Sequence, residues 1–89
     1  MPTVLIPAPY RAPTRNQAEV EVPAGSVLAC IDAVEARFPG FRELVLDEKG
    51  RPHRFVRLFV NEEQIESTAL DLEVGEGDRL EVLAALAGG

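Results

Sequence analysis

The residues of this chain that are best placed for chemistry are Gly88 and Gly89, its last two. Gly89 offers a backbone carboxylate, and two successive glycines leave no side chain around it. Such an end can enter a narrow active-site channel in conformations that a β-carbon forbids. Because a carboxylate is a poor electrophile, it reacts only after another protein has activated it. We therefore expect Gly89 to be the reacting residue and Gly88 to give it access.

Other reactive side chains are few. Cys30 and His53 are the only cysteine and the only histidine. A lone cysteine next to apolar helix positions is typical of a buried thiol, and a lone histidine is typical of a loop residue rather than a metal ligand. Glu62 and Glu63 are first of all solvated turn residues and secondly candidate contacts to a partner, with Glu81 as a further acidic group. The sequence predicts no metal or cofactor site.

Composition limits the kind of protein. The chain has 89 residues and a formal net charge of -6, which predicts one small domain that repels nucleic acid and favours a basic protein surface as its partner. One cysteine excludes an internal disulfide framework. The sequence shows neither a stretch long enough to span a membrane nor a signal-peptide pattern. We expect a cytoplasmic protein.

The hydrophobic pattern predicts five strands and one main helix. Strands alternate apolar and polar residues at period two, whereas the helix has apolar residues at helical spacing behind a Ser26 cap. A helical turn is also expected over 41–46. The predicted strands span residues 3–6, 18–22, 55–60, 64–65 and 79–83, and the helix runs from Ser26 to Phe38.

This order places one amphipathic helix on one face of a mixed sheet. A right-handed crossover through the helix lets the first and last strands pair in parallel at the centre of the sheet. The fold class is therefore α+β, a β-grasp or ubiquitin-like domain with four to five strands. We place the domain at residues 1–84 and a flexible tail at 85–89.

The last strand also predicts a docking surface. Leu80 and Val82 share a parity and should point into the core, so Leu83 should face the opposite way. Leu86 and Ala87 lie beyond the sheet, where little core is left for them to join. We expect Leu83, Leu86 and Ala87 to contact partners, with Glu62 and Glu63 providing electrostatic steering.

Three segments of the sequence resemble the ThiS and MoaD-type sulfur carriers, a family of β-grasp proteins that end in a free Gly-Gly. The resemblance covers nearly the whole chain and is greatest for the carriers of cysteine biosynthesis, because of the proline-rich first loop and the start of the central strand. The matching segments are His53-Arg54-Phe55-Val56 leading into Phe59-Val60-Asn61-Glu62-Glu63, then Gly77-Asp78-Arg79-Leu80, and finally Leu86-Ala87-Gly88-Gly89.

The resemblance implies a protein that is a cosubstrate rather than an enzyme. In such a family an ATP-dependent adenylating partner activates the carboxylate of Gly89, and sulfur transfer to it leaves a thiocarboxylate. In the cysteine pathway the acceptor is a cysteine synthase-type enzyme with pyridoxal phosphate, and a metalloprotease releases the product. ATP, pyridoxal phosphate and metal then belong to the partners, and this chain binds no cofactor.

Other functions share this fold and this ending. One is the small subunit of molybdopterin synthase, whose tail enters the active site of the large subunit. Others are a carrier for thiamin or for tRNA thiolation, and a ubiquitin-like modifier that joins Gly89 to lysines. A plain interaction module with an idle tail is the remaining hypothesis.

Overall fold

The computed structural model describes residues 1–85, and these form a mixed sheet with one main helix on one face. Five strands are ordered β2-β1-β7-β4-β5, and a short two-stranded ladder pairs β3 with β6. The strands are β1 (Thr3–Leu5), β2 (Glu19–Glu21), β3 (Gly25–Ser26), β4 (Val56–Val60), β5 (Glu63–Gln64), β6 (Glu73–Val74) and β7 (Arg79–Ala84), and the helices are α1 (Val27–Arg37) and α2 (Arg42–Val45).

The predicted topology is confirmed at the centre of the sheet. β1 and β7 pair in parallel, with Val4 opposite Leu80, and each has an antiparallel neighbour on its other side. The ubiquitin-like β-grasp fold follows from this arrangement. The ladder between β3 and β6 was not predicted, because its strands have two residues each and lack a repeating pattern.

The helix begins and ends where the sequence indicates. The Ser26 hydroxyl accepts a hydrogen bond from the Ala29 N–H at 3.0 Å, which satisfies one of the free donors of the first turn. α1 ends at Arg37, before Pro39 and Gly40, and Gly40 has a φ of 106° that favours glycine. The predicted helical turn over 41–46 is present as α2.

One hydrophobic core lies between the helix and the sheet. The apolar positions of α1 meet the inward residues of β1, β4 and β7, and Phe41 of the α1–α2 connection fills the space beside them. Large fully buried side chains include Ile6, Ile31, Phe41 and Leu80. Their burial removes apolar surface from water and supplies the main stabilising free energy of so small a domain.

Two predictions lie at the edge of the described residues or beyond it. Leu86, Ala87, Gly88 and Gly89 are outside them. The proposed boundary between domain and tail after residue 84 stays a prediction for the same reason. Within residues 1–85 no helix is long and apolar enough to cross a membrane.

Candidate functional site: a docking surface beside the carboxyl terminus

β7 has two chemically different faces. Leu80 and Val82 are buried against α1, with exposures of 0% and 1%, whereas Leu83 is 39% exposed on the outer face of the sheet. The alternation of a strand requires this, since neighbouring side chains point to opposite sides. The predicted orientation of Leu83 is thus what the structure shows, although its contact with a partner stays a prediction.

Leu83 lies next to a second exposed apolar residue that the sequence analysis missed. Leu83 pairs with Arg57 across the ladder, and two residues later the Ala85 N–H donates to the carbonyl oxygen of Phe55 at 2.7 Å. Phe55 is 43% exposed, and its ring stacks on His53 with centroids 5.4 Å apart. We name Phe55, Arg57 and Leu83 the tail-side surface.

The signal for Phe55 was present in the sequence. Phe55 and Arg57 have the same parity, so both belong to the outer face if Arg57 does. Phe55 was instead assigned to the strongly apolar run of the central strand, where burial is the usual outcome for an aromatic residue. Its exposure follows from its place in the turn before β4, at the end of the sheet where β7 finishes.

The first loop borders the other side of this surface. Because β1 runs parallel to β7, the loop after β1 leaves the sheet at the end where β7 finishes. Pro7, Ala8 and Arg11 line a shallow groove together with Leu83, and the Arg11 Nε donates to the Ile6 carbonyl oxygen at 2.9 Å. The proline-rich loop therefore lies beside Leu83 on this end of the sheet.

Arg57 is held along the strand rather than extended into solvent. Its Nη1 donates to the carbonyl oxygen of Arg54 at 2.8 Å and to that of Val56 at 3.2 Å. These contacts fix one side of the guanidinium group. The remaining N–H donors of this planar group stay available for a carboxylate, which guanidinium binds in a bidentate manner.

Glu62 and Glu63 lie at the opposite end of the sheet. They follow Val60, which pairs with Leu80 near the start of β7, and Asn61 donates its backbone N–H to the Arg79 carbonyl oxygen. At about 3.3 Å per strand residue, Arg79 is about 20 Å from Ala85. The structure thus exposes Glu62 and Glu63 but separates them from Leu83 and Ala85.

The same far end joins two of the segments on which the family resemblance rests. The Asn61 Nδ2 donates to Asp78 Oδ1 at 3.0 Å, and the Arg79 N–H donates to Asn61 Oδ1 at 2.9 Å. Asp78 Oδ2 also accepts from the Gly75 N–H at 2.8 Å. The hydrogen bond from the Asn61 side chain, and to a smaller extent the one from the Gly75 N–H, lowers the pKa of Asp78. These motif residues serve the fold, because their polar groups bind each other.

The other reactive side chains are structural. Cys30 is fully buried, and burial, with a further contribution from Glu73, raises the pKa of its thiol, so it stays protonated and unreactive. The His53 Nε2 lies 2.9 Å from the Glu43 carbonyl oxygen. Across residues 1–85 no three His, Cys, Asp or Glu side chains come together as a metal site.

The sheet order and the helix on one face define a ubiquitin-like β-grasp protein, and comparison with known proteins makes the class specific. The sequence model of the ThiS family matches residues 4–89. The chain belongs to the ThiS family.

Curated relatives agree with this assignment. The chain is 36% identical over 90 residues to proteins named sulfur carrier protein CysO from Mycobacterium tuberculosis and Mycobacterium bovis, and the match covers 98% of this chain and 97% of each relative. The expected resemblance to the ThiS-type sulfur carriers is therefore confirmed.

Solved structures agree as well. The Amycolatopsis orientalis BexX/CysO complex contains a chain that is 38% identical, with a TM-score of 0.90 and full coverage of both chains. Mycobacterium tuberculosis CysO gives a TM-score of 0.88 at 32% identity, covering 97% of this chain and 100% of that one. SAMP1 from Haloferax volcanii gives 0.77 at 19% identity, covering 99% and 98%, and shares the fold.

Proposed function

We propose that this protein is a sulfur carrier whose carboxyl terminus is converted to a thiocarboxylate by partner enzymes. The observation that carries the proposal is the tail-side surface, an exposed apolar patch beside Ala85, in a chain of the ThiS family that ends in Gly88-Gly89. Relatives that are 36% identical over nearly the whole chain are named sulfur carrier proteins.

The chemistry proceeds in two steps that the partners catalyse. A carboxylate oxygen of Gly89 attacks the α-phosphorus of ATP, pyrophosphate leaves, and an acyl adenylate forms. A sulfur nucleophile then attacks the acyl carbon, the C–S bond forms as the C–O bond breaks, and AMP leaves with the electron pair. The product is a thiocarboxylate on Gly89. This chain contributes the reacting group and no catalytic side chain.

The domain positions that group for its partners. Ala85 is fixed to Phe55 by a backbone hydrogen bond, and the four residues after it reach about 14 Å when extended. A partner that reacts with Gly89 therefore contacts the end of the sheet where Phe55 and Leu83 are exposed. Binding free energy from this contact holds the reacting carbon in place.

The proposed contacts differ in their distance from the tail. Leu83, Leu86 and Ala87 adjoin the reacting end and form the main contact with the activating enzyme. Glu62 and Glu63 reach a partner that covers the full length of the outer sheet face, because about 20 Å separates the two ends of β7.

Cysteine biosynthesis is the pathway that the CysO relatives favour. The acceptor is then an aminoacrylate on a pyridoxal phosphate enzyme, and a metalloprotease releases cysteine from Gly89 after an acyl shift. The small-subunit role in molybdopterin synthase is the alternative. Activated carrier should give a cysteine adduct with a cysteine synthase-type enzyme, whereas a stable complex with the large subunit of molybdopterin synthase would favour the alternative.

Intact mass spectrometry tests the carrier role itself. The protein is incubated with ATP, a sulfide source and the adenylating enzyme of the same genome, and its mass is measured. We expect a gain of one sulfur-for-oxygen exchange, which a variant lacking Gly89 does not show. No gain with any adenylating enzyme of that genome would refute the carrier role.

A further inference from the structure

Charge is distributed unevenly along this chain. Four of its nine lysine and arginine residues lie between Lys49 and Arg57, together with the only histidine and without an acidic residue. Residues 62–81 hold eight of the fifteen acidic side chains and a single basic one. The basic residues of the first segment are Lys49, Arg51, Arg54 and Arg57, and the acidic residues of the second are Glu62, Glu63, Glu66, Asp71, Glu73, Glu76, Asp78 and Glu81.

The fold places two of these arginines and three of these acidic residues at opposite ends of β4 and β7. Arg57 pairs with Leu83, and Arg54 precedes Phe55, whose carbonyl oxygen binds Ala85. The acidic residues Glu62, Glu63 and Asp78 lie at the other end of β4 and β7. The charged side chains next to Phe55 and opposite Leu83 are therefore basic, although the net charge of the chain is -6.

The guanidinium groups of Arg54 and Arg57 have no carboxylate oxygen within 4.0 Å among residues 1–85. Glu66 lines the same groove as Arg57 without forming an ion pair with it. The pKa of Asp47, in contrast, is lowered mainly by the hydrogen bond from the Arg51 N–H. The charges of Arg51 and His53 lower it further. Arg54 and Arg57 are thus the unpaired cations of this segment that adjoin Phe55 and Leu83 among the described residues.

A partner that docks on Phe55 and Leu83 also covers these two charges, because Arg57 pairs with Leu83 and Arg54 directly precedes Phe55. Covering unpaired guanidinium groups with a neutral or basic surface removes their hydration without replacement, which is unfavourable. Carboxylates on the partner replace that hydration with charge-assisted hydrogen bonds.

We propose that the enzyme that activates Gly89 presents an acidic surface to Arg54 and Arg57 on either side of Phe55. This inference rests on the proposed function and assigns the partner's chemistry. An acidic partner surface is the opposite of the basic one that the net charge alone predicts. The charges nearest the contact dominate, because the Debye length at physiological salt is about 8 Å.

Kinetics of ATP–pyrophosphate exchange with the adenylating enzyme of the same genome test the proposal. The double variant Arg54→Gln/Arg57→Gln should lower kcat/KM by about tenfold at low salt, because electrostatic complementarity acts mainly on association. The difference should shrink at high salt, where these charges are screened. Arg54→Lys/Arg57→Lys should recover part of the loss, and Glu66→Gln should raise kcat/KM slightly.

The matched control removes two exposed arginines elsewhere, in Arg15→Gln/Arg79→Gln. It changes the net charge equally and should stay close to wild type. Thermal unfolding of each variant verifies that the fold is retained, and the lysine pair provides a test that keeps the charge if the glutamine pair is unstable.

Three outcomes would overturn the proposal. If Arg54→Gln/Arg57→Gln has the same kcat/KM as wild type, this proposal is wrong, whereas the proposed function stands because wild type is still activated. An equal loss in the control pair would show that total charge, rather than Arg54 and Arg57, matters. Absence of exchange with wild type would instead refute the proposed function, and this inference with it.

Discussion

The two ends of the outer sheet face use their polar groups in opposite ways. At the far end, Asn61, Asp78 and Gly75 bind one another, and their donors and acceptors are satisfied within the domain. At the tail end, Phe55 and Leu83 expose apolar surface, and Arg57 keeps donors that bind no carboxylate among the described residues. One end serves stability, and the other is left open for a partner.

The largest effect on stability at the far end should come from Asn61→Ala. The change removes two hydrogen bonds, to Asp78 and from the Arg79 N–H, and it places alanine at a φ of 50°. We expect a loss of about 2 kcal/mol in the free energy of unfolding, measured by urea denaturation, with sulfur loading of the folded fraction unchanged.

The control for this variant is Asn16→Ala. Asn16 also has a positive φ, of 67°, but its side chain forms no hydrogen bond within residues 1–85. Asn16→Ala should lose only the preference of asparagine for positive φ. Its free energy of unfolding should therefore fall by about half as much as that of Asn61→Ala. Equal losses in the two variants would show that the Asn61 hydrogen bonds contribute little.

At the tail end, Leu83→Ser should affect activity rather than stability. Leu83 is half-exposed on the outer face, so we expect the free energy of unfolding to change by less than about 0.5 kcal/mol. Loss of its contact should lower kcat/KM for adenylation by about tenfold, which corresponds to about 1.4 kcal/mol. Pyrophosphate exchange and urea denaturation measure the two quantities.

Leu72→Ser is the matched variant, because Leu72 is 43% exposed beside the start of α1 rather than beside the tail. Its kcat/KM should equal that of wild type. If both substitutions lower kcat/KM equally, the docking surface is not confined to the tail end of the sheet.

A smaller effect, of opposite sign, is expected from Glu62→Gly. The β4–β5 turn has positive φ at both central residues, Asn61 and Glu62, as in a type I′ turn, where Asn-Gly is the favoured pair. Glycine at position 62 should therefore stabilise the domain by up to about 1 kcal/mol in thermal or urea unfolding. A loss of stability would mean that the Glu62 side chain contributes to the fold.

The smallest effect concerns acid stability. The hydrogen bonds from Asn61 and Gly75 lower the pKa of Asp78 below its ordinary value of 3.8. Their contribution is present above that value and is lost as the pH falls through the lower pKa of the folded state. The difference in free energy of unfolding between wild type and Asp78→Asn should therefore decrease as the pH falls below 3.8.

Asp71→Asn is the comparison for this titration, because the Asp71 side chain is exposed and forms no hydrogen bond within the described part of the chain. Asp71→Asn removes no hydrogen bond of the described residues, so its free energy of unfolding should stay close to that of wild type. An acid transition that is the same in wild type and Asp78→Asn would contradict the role of Asp78.

Much of the fold was predictable because local pattern and tertiary structure agree. The alternation of residues 79–83 gave the inward Leu80 and outward Leu83, and the Ser26 cap gave the helix start. The β3–β6 ladder was not predictable, since two-residue strands depend on tertiary contacts rather than on periodicity.

The candidate site was predictable only in part. Leu83 followed from parity, but the neighbourhood of Phe55, Arg57 and Ala85 depends on the register between β4 and β7. A single sequence does not specify that register. For the same reason, the separation of about 20 Å between the two ends of β7, which places Glu62 far from Ala85, could not be inferred from residue types.

The arginines at the two open sides of the sheet have a consequence for how partners can bind. Arg57 donates to the Val56 carbonyl oxygen beyond the short strand β5, and on the other side Arg37 donates to the Glu21 carbonyl oxygen of β2 at 3.0 Å. An unpaired strand edge invites another chain to extend the sheet, and charged side chains on the edge oppose this. The charged side chains at both edges of the sheet oppose strand addition and so oppose aggregation. A partner is therefore expected to bind the outer face of the sheet rather than its edges.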